Sequence, residues 1–214
     1  MKGMPAALRD YALQIANHEM GHYVVARALG FETGDVTLKV TMGLTHHGGA
    51  SITLTRSISS IDAMKEHLEA RIMVLFAGAM AQTLPAKHSP EKHVDKSKAA
   101  AILKGEFGAE QDHAKIRELR YLLRNIAYPD TNPASSDSII AELTEINDRL
   151  WLRTQQIVEA LADTITGLAG GLVDRMVLVD LWGRAGDSYE VVLAGEVLEG
   201  LVPVQAIPAL SVWE

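Results

Sequence analysis

The sequence predicts an α+β fold, mainly α-helical, with one small β-hairpin. Three observations point there. Long stretches keep apolar residues at helical spacing, and between the first two of them lie short segments in which apolar and polar residues alternate. With 214 residues, 48% hydrophobic but only 5% aromatic, the chain has enough Leu, Val, Ile, Ala and Met to fill one core of ordinary size. There is no cysteine, so disulfides, thiol catalysis and thiolate metal sites are excluded.

The elements follow in order. Pro5 to Leu29 reads as a helix, with Leu8, Ala12, Ile15, Val25 and Leu29 on one stripe and Gly30 placed as a stop. Val36 to Val40 and Ser51 to Thr55, with Ile52 and Leu54, alternate as strands do. A Gly/His loop (Gly43, His46, His47, Gly48, Gly49) joins them into a hairpin. Ser60 to Leu84 is a second helix, capped by Ser59 or Ser60, with Met64, Leu68, Ile72, Leu75 and Phe76 facing inward. Pro85 to Lys98 is polar and reads as an exposed loop. A third helix covers Ala109 to Ala127, a Pro/Asn/Asp/Ser turn follows, and a long amphipathic helix runs from Asp137 to Leu168. Beyond Gly170, Met176 to Trp182 and Tyr189 to Leu193 have strand character, and Pro203 and Pro208 imply an irregular end.

Charge and hydropathy narrow the partners. The net charge is −7 and no basic block occurs, so nucleic acid and anionic membrane surfaces are not the expected partners. The longest apolar run, Ile72 to Ala81, is about half of what a bilayer span needs. Met1 to Ala16 carries Lys2, Arg9 and Asp10 and lacks the apolar centre of a secretory signal, so a cytoplasmic location is expected.

The chemistry sits in His18-Glu19-Met20-Gly21-His22. Residues four apart on a helix stand one above the other, so two imidazoles at this spacing can hold one zinc ion between them. Glu19, offset around the helix, can reach the metal's water without displacing it. The stripe that carries His18 and His22 also carries Ile15, Val25 and Leu29, so both rings point inward. Two core histidines hydrogen-bonded to backbone are the alternative reading, but burying them beside an inward-leaning Glu would be costly. Gly21 costs about 1 kcal/mol relative to Ala inside a helix, which implies a close backbone approach there.

A third ligand is needed. Val25 and Ala28 stand where a metzincin has its Gly and third His, so that continuation is excluded. Glu66 and Glu69 on the second helix are candidates. Asp112 is a better one, because Asp112, Ile116, Leu119 and Leu123 form one stripe, which puts a carboxylate on a buried face. An Asp favouring the helix dipole in a first turn is the alternative for Asp112. His46 and His47 flank the hairpin as candidates for substrate contact. His67, His88, His93 and His113 read as surface residues, and Trp151, Trp182 and Trp213 as core or interface.

Gln14-Ile15-Ala16-Asn17-His18-Glu19-Met20-Gly21-His22 resembles the zinc helix of the FtsH-type metalloproteases, membrane-anchored AAA+ zinc peptidases. Ile72 to Leu84 is similar to that family's helix with a Gly-Arg-Ala-Ala-Glu segment, although Met80, Ala81 and Gln82 replace its Arg and acidic pair. Gly108-Ala109-Glu110-Gln111-Asp112 is similar to its Gly-Ala-x-x-Asp segment, whose Asp is the third zinc ligand, and Ile139 to Ile165 resembles its long C-terminal helix. The resemblance spans roughly residues 8 to 168. It implies a zincin-like helical peptidase domain over residues 1–170, with 171–214 as a C-terminal extension packed on the same unit. It further implies Zn2+ held by His18, His22 and Asp112, Glu19 as the catalytic base, and an extended or unfolded polypeptide as substrate. The chain has neither the family's membrane span nor a Walker-type phosphate loop, so hydrolysis is expected to be independent of ATP, with a homo-oligomer or a separate ATPase as possible assemblies. A non-catalytic zinc-binding module for protein association is the rival expectation, and the intact Glu19 counts against it.

Overall fold

A computed structural model describes residues 4–53, 55, 57–85, 92–106, 109–179 and 188–213, the side chain of Glu106 excepted. Leu54, His88, Phe107, Gly108 and Trp182 lie outside the described residues. The chain forms α1 (Ala6–Ala28), β1 (Glu32–Thr41), β2 (His46–Thr53), α2 (Ile61–Ala81), α3 (Lys96–Ala101), a π turn (Ile102–Glu106) and α4 (Glu110–Ala127). After these come α5 (Ser136–Ala160), α6 (Ala162–Asp174), β3 (Val177–Val179), β4 (Ser188–Leu193), α7 (Gly195–Glu199) and α8 (Val202–Gln205). The result is α+β and mainly helical, with one four-stranded antiparallel sheet. No described helix is long and apolar enough to cross a membrane.

Helix α1 is the centre of the molecule. It contacts α2, α6 and both strands of the hairpin, so from Ile15 to Ala26 every residue is buried, polar ones included. A helix surrounded in this way needs no solvent-facing stripe. It ends where Gly30 adopts a φ of +79° and the Phe31 N–H reaches back to the Ala26 carbonyl at 2.9 Å, a Schellman closure that only a glycine adopts without strain. Gly21 marks the crossing with α2, since a Cβ there would come within 2.5 Å of Ala81 Cβ and 2.6 Å of the Ala77 carbonyl oxygen.

The sheet order is β2-β1-β4-β3. Val36, Leu38 and Val40 of β1 and Tyr189, Val191 and Leu193 of β4 are buried. The segment after residue 171 thus supplies two strands of the sheet, with β4 lying beside β1 in the register Leu38↔Val191 and Val40↔Tyr189. The hairpin is tighter than the Gly/His composition suggests. Its turn closes between Thr41 and Thr45, Leu44 sits at φ +58°, and His46, His47, Gly48 and Gly49 belong to β2, paired with Val40, Lys39, Leu38 and Thr37. Alternation then turns His46, Gly48, Ala50 and Ile52 toward the side of the sheet that faces α1.

Other expectations need adjustment. The Ser60 hydroxyl caps α2 by accepting the Ala63 N–H at 3.0 Å, as the sequence suggests. His67, however, is buried, with its ring edge-on to Phe31 at 5.7 Å, because α2 packs against α1, α4 and α5 and is covered on several sides. The stretch expected to stay irregular as far as Lys98 becomes helical earlier, where Asp95 caps α3 through the Lys98 N–H. The long helix from Asp137 kinks at Leu161 into α5 and α6. Its ladder continues through the kink, since Leu161 donates to Ile157 and accepts from Ile165, both at 3.0 Å.

Candidate metal centre

His18 and His22 project from α1 toward Asp112 in the first turn of α4. His18 Nε2 lies 3.2 Å from Asp112 Oδ2, His22 Nε2 lies 3.0 Å from the same oxygen, and the two Nε2 atoms are 3.0 Å apart. The rings stand edge-to-face at 82°. Gly78 of α2 makes this possible: a Cβ there would come within 2.4 Å of His22 Nε2 and 2.8 Å of His18 Nε2.

The far side of each ring fixes its tautomer. His22 Nδ1 donates to the Val74 carbonyl at 2.7 Å, and His18 Nδ1 donates to Gln82 Oε1 at 2.9 Å. Both Nε2 atoms of the neutral rings therefore aim lone pairs at the point that Asp112 also faces. Three electron pairs this close repel one another unless positive charge sits among them. Protonation of His22 is one source of it. Burial pushes His22 down, but the hydrogen bond to Asp112, the charges of Asp112 and Glu19 and the Val74 carbonyl outweigh burial and raise it. Burial pushes Asp112 up, and the hydrogen bonds and charges of His18 and His22 hold it well below the usual carboxylate range. A metal ion answers the same need. Two imidazoles and a carboxylate suit zinc, whose tetrahedral ligands at about 2.0–2.1 Å stand roughly 3.3–3.4 Å from one another. Among the described residues these three are the His/Asp/Glu group whose donor atoms all fall within 4.8 Å.

The group opens onto a cleft of about 510 Å³ between α1, α2, β2 and the start of α4. Glu19 lines it, buried to 8% exposure, with its carboxylate against Gly48 of β2, where a Cβ would come within 2.5 Å of Oε1. His46 and His47 line it as well, and β2 is one of the two edge strands of the sheet. Glu69 lies elsewhere. It binds Arg149 Nη2 at 2.8 Å and accepts the Trp213 indole N–H at 2.9 Å, while the Arg149 guanidinium covers the Trp213 ring at 4.2 Å. Glu66 is exposed and lines the same outer groove as Glu69 and Trp213, away from His18 and His22. His93 and His113 are exposed, and Trp151 is half-buried against Phe76.

Several cleft residues escape a reading of the sequence. Gln82 orients His18, Gly78 and Gly48 make room, and Arg71 of α2 adds a positive charge to the wall. Burial pushes the Arg71 guanidinium down and the charge of Asp112 favours it, yet its Nη1 finds no hydrogen-bond acceptor among the described residues. Only Gly78 carried a signal, as a glycine inside an apolar helix. The sequence matches no protein-family model, and no curated protein matches it either.

Proposed function

We propose that this protein is a zinc-dependent metallopeptidase that hydrolyses peptide bonds in extended or unfolded polypeptides. The observation that carries the reading is the position of Glu19. A site that only held a metal for structure would have no use for a buried carboxylate beside it in an open cleft. His18, His22 and Asp112 would hold the ion, which when bound lowers the pKa of a water and polarises a carbonyl. Glu19 would accept the proton of the attacking water as it adds to the scissile carbonyl carbon, and then deliver it to the leaving amine nitrogen. Gly48 keeps the Glu19 carboxylate unobstructed. The free edge of β2 offers backbone N–H and C=O groups along the cleft, where an extended substrate can add as a further strand.

The test is metal analysis of the purified chain together with cleavage of a denatured protein such as casein, with and without a chelator. The expected result is about one zinc per chain and hydrolysis that the chelator stops. Zinc without hydrolysis would favour a module for protein association. A metal-replete preparation that binds no divalent ion would overturn the reading.

A further inference from the structure

His46 is the first residue of β2, on the side of the strand turned toward α1, and its ring forms part of the wall of the metal cleft. It is not one of the three clustered donors. Its Nδ1 is 2.5 Å from the hydroxyl of Tyr11, one turn before Ile15 on α1, and the two rings meet edge-on at 65°. Phenol is the better donor of the two and imidazole nitrogen the better acceptor, so the Tyr11 O–H donates and Nδ1 accepts. A neutral imidazole that accepts at Nδ1 carries its hydrogen at Nε2. Burial favours that neutral form, lowering His46 with help from the charges of His18 and His47, against the pull of Glu19 and Glu110. Burial also raises Tyr11, which keeps its proton.

We propose that His46 is a further catalytic residue, whose Nε2–H donates a hydrogen bond to the oxyanion that forms on the scissile carbonyl, and that Tyr11 is the positioning residue that sets its tautomer. The role rests on the peptidase reading given above. When water adds, the new C–O bond forms, the carbonyl π pair moves onto oxygen and the water's proton passes to Glu19. When the C–N bond breaks, its electron pair leaves with nitrogen, which takes the proton from Glu19. His46 keeps its own proton throughout. A neutral donor fixed in advance gains strength as negative charge develops and needs no rearrangement at that moment. His47, the next residue, also borders the cleft, but it alternates to the other, exposed side of the strand and has no hydrogen-bonding partner like Tyr11 among the described residues.

Two measurements test this. The first is the tautomer of His46 by nitrogen-15 NMR of the metal-free and the zinc-loaded chain, which needs no activity. The expected signature is Nε2–H in the wild type and a mixture with Nδ1–H in Tyr11→Phe. A wild-type Nδ1–H tautomer overturns the proposal. The second is steady-state hydrolysis of a peptide by His46→Ala, His46→Asn and Tyr11→Phe, with zinc content measured for each. The expected loss in kcat for His46→Ala is about 10²–10³-fold with KM little changed and one zinc retained. His46→Asn, which keeps a donor, should recover part of the rate, and Tyr11→Phe should lose less than His46→Ala. If Glu19→Gln is inactive while His46→Ala keeps its kcat, the oxyanion role is wrong though the peptidase stands. Loss of zinc from the folded His46 variants also overturns it, by making His46 part of the metal site. A zinc-loaded wild type that hydrolyses nothing removes the peptidase reading and this role together.

Discussion

At the scale of single residues, the proposed reading assigns metal binding and chemistry to different side chains, and substitutions should separate them. Glu19→Gln should keep the fold and the zinc yet lose hydrolysis, because an amide cannot accept the water's proton; residual activity near wild type in a peptide assay would place the base elsewhere. His18→Ala and His22→Ala should each empty the site. Asp112→Asn should weaken metal binding far more than Glu69→Gln or Glu66→Gln, as read by competition with a zinc chelator. Glu69→Gln has a different consequence. It loosens the Arg149 and Trp213 contacts and should cost roughly 1–3 kcal/mol of stability, seen as a lower unfolding midpoint with zinc content intact. Gln82→Leu removes the acceptor behind His18 Nδ1 and should reduce zinc affinity about 10–100-fold without emptying the site.

At the scale of elements, three glycines set three different clearances, so three Ala substitutions should have three phenotypes. Gly78→Ala drives a methyl into both imidazoles and should abolish metal binding. Gly48→Ala displaces the Glu19 carboxylate and should lose activity while zinc stays. Gly21→Ala pushes α1 off the backbone of α2 and should lower stability by about 1–3 kcal/mol. Parallel zinc assays, peptide assays and thermal melts distinguish the three. These roles also show what was legible in the chain. His18, Glu19 and His22 could be read because a helix fixes their relation within five residues, and Asp112 because its stripe on α4 is otherwise apolar. The cost of Gly21 could be seen, and the structure supplies its cause. Gln82, Gly48 and Tyr11 could not be assigned, because their partners lie 64, 29 and 35 positions away and nothing local marks them. His67 misled for the same reason, since its burial comes from three other elements. The sequence reads His46 to Gly49, the first half of β2, as a loop because Gly48 and Gly49 have poor strand propensity, which pairing with β1 overrides.

At the scale of the whole molecule, the proposed peptidase reading expects a substrate to be cut only as fast as it opens by itself. Hydrolysis of peptides by the pure chain should be indifferent to ATP. A stable globular protein should be cut more slowly than a destabilised mutant of itself, in proportion to how often each opens. Equal rates on the two, or stimulation by ATP, would contradict this. Acid should release the metal, because a protonated imidazole cannot bind it: with His22 raised above the ordinary histidine value, affinity should start to fall before the pH has dropped to about 6.5, measurable by equilibrium dialysis. The placement of β4 between β1 and β3 bears on how the protein is made. During synthesis, α1, the hairpin, α2 and Asp112 all leave the ribosome before Ser188 does, so the metal donors can assemble while one flank of β1 still has free N–H and C=O groups. Until the last strands arrive, that flank can pair with any extended chain nearby, including a neighbouring copy. The nascent chain would thus pass through a stage in which its metal donors are assembled and its own sheet is still sticky.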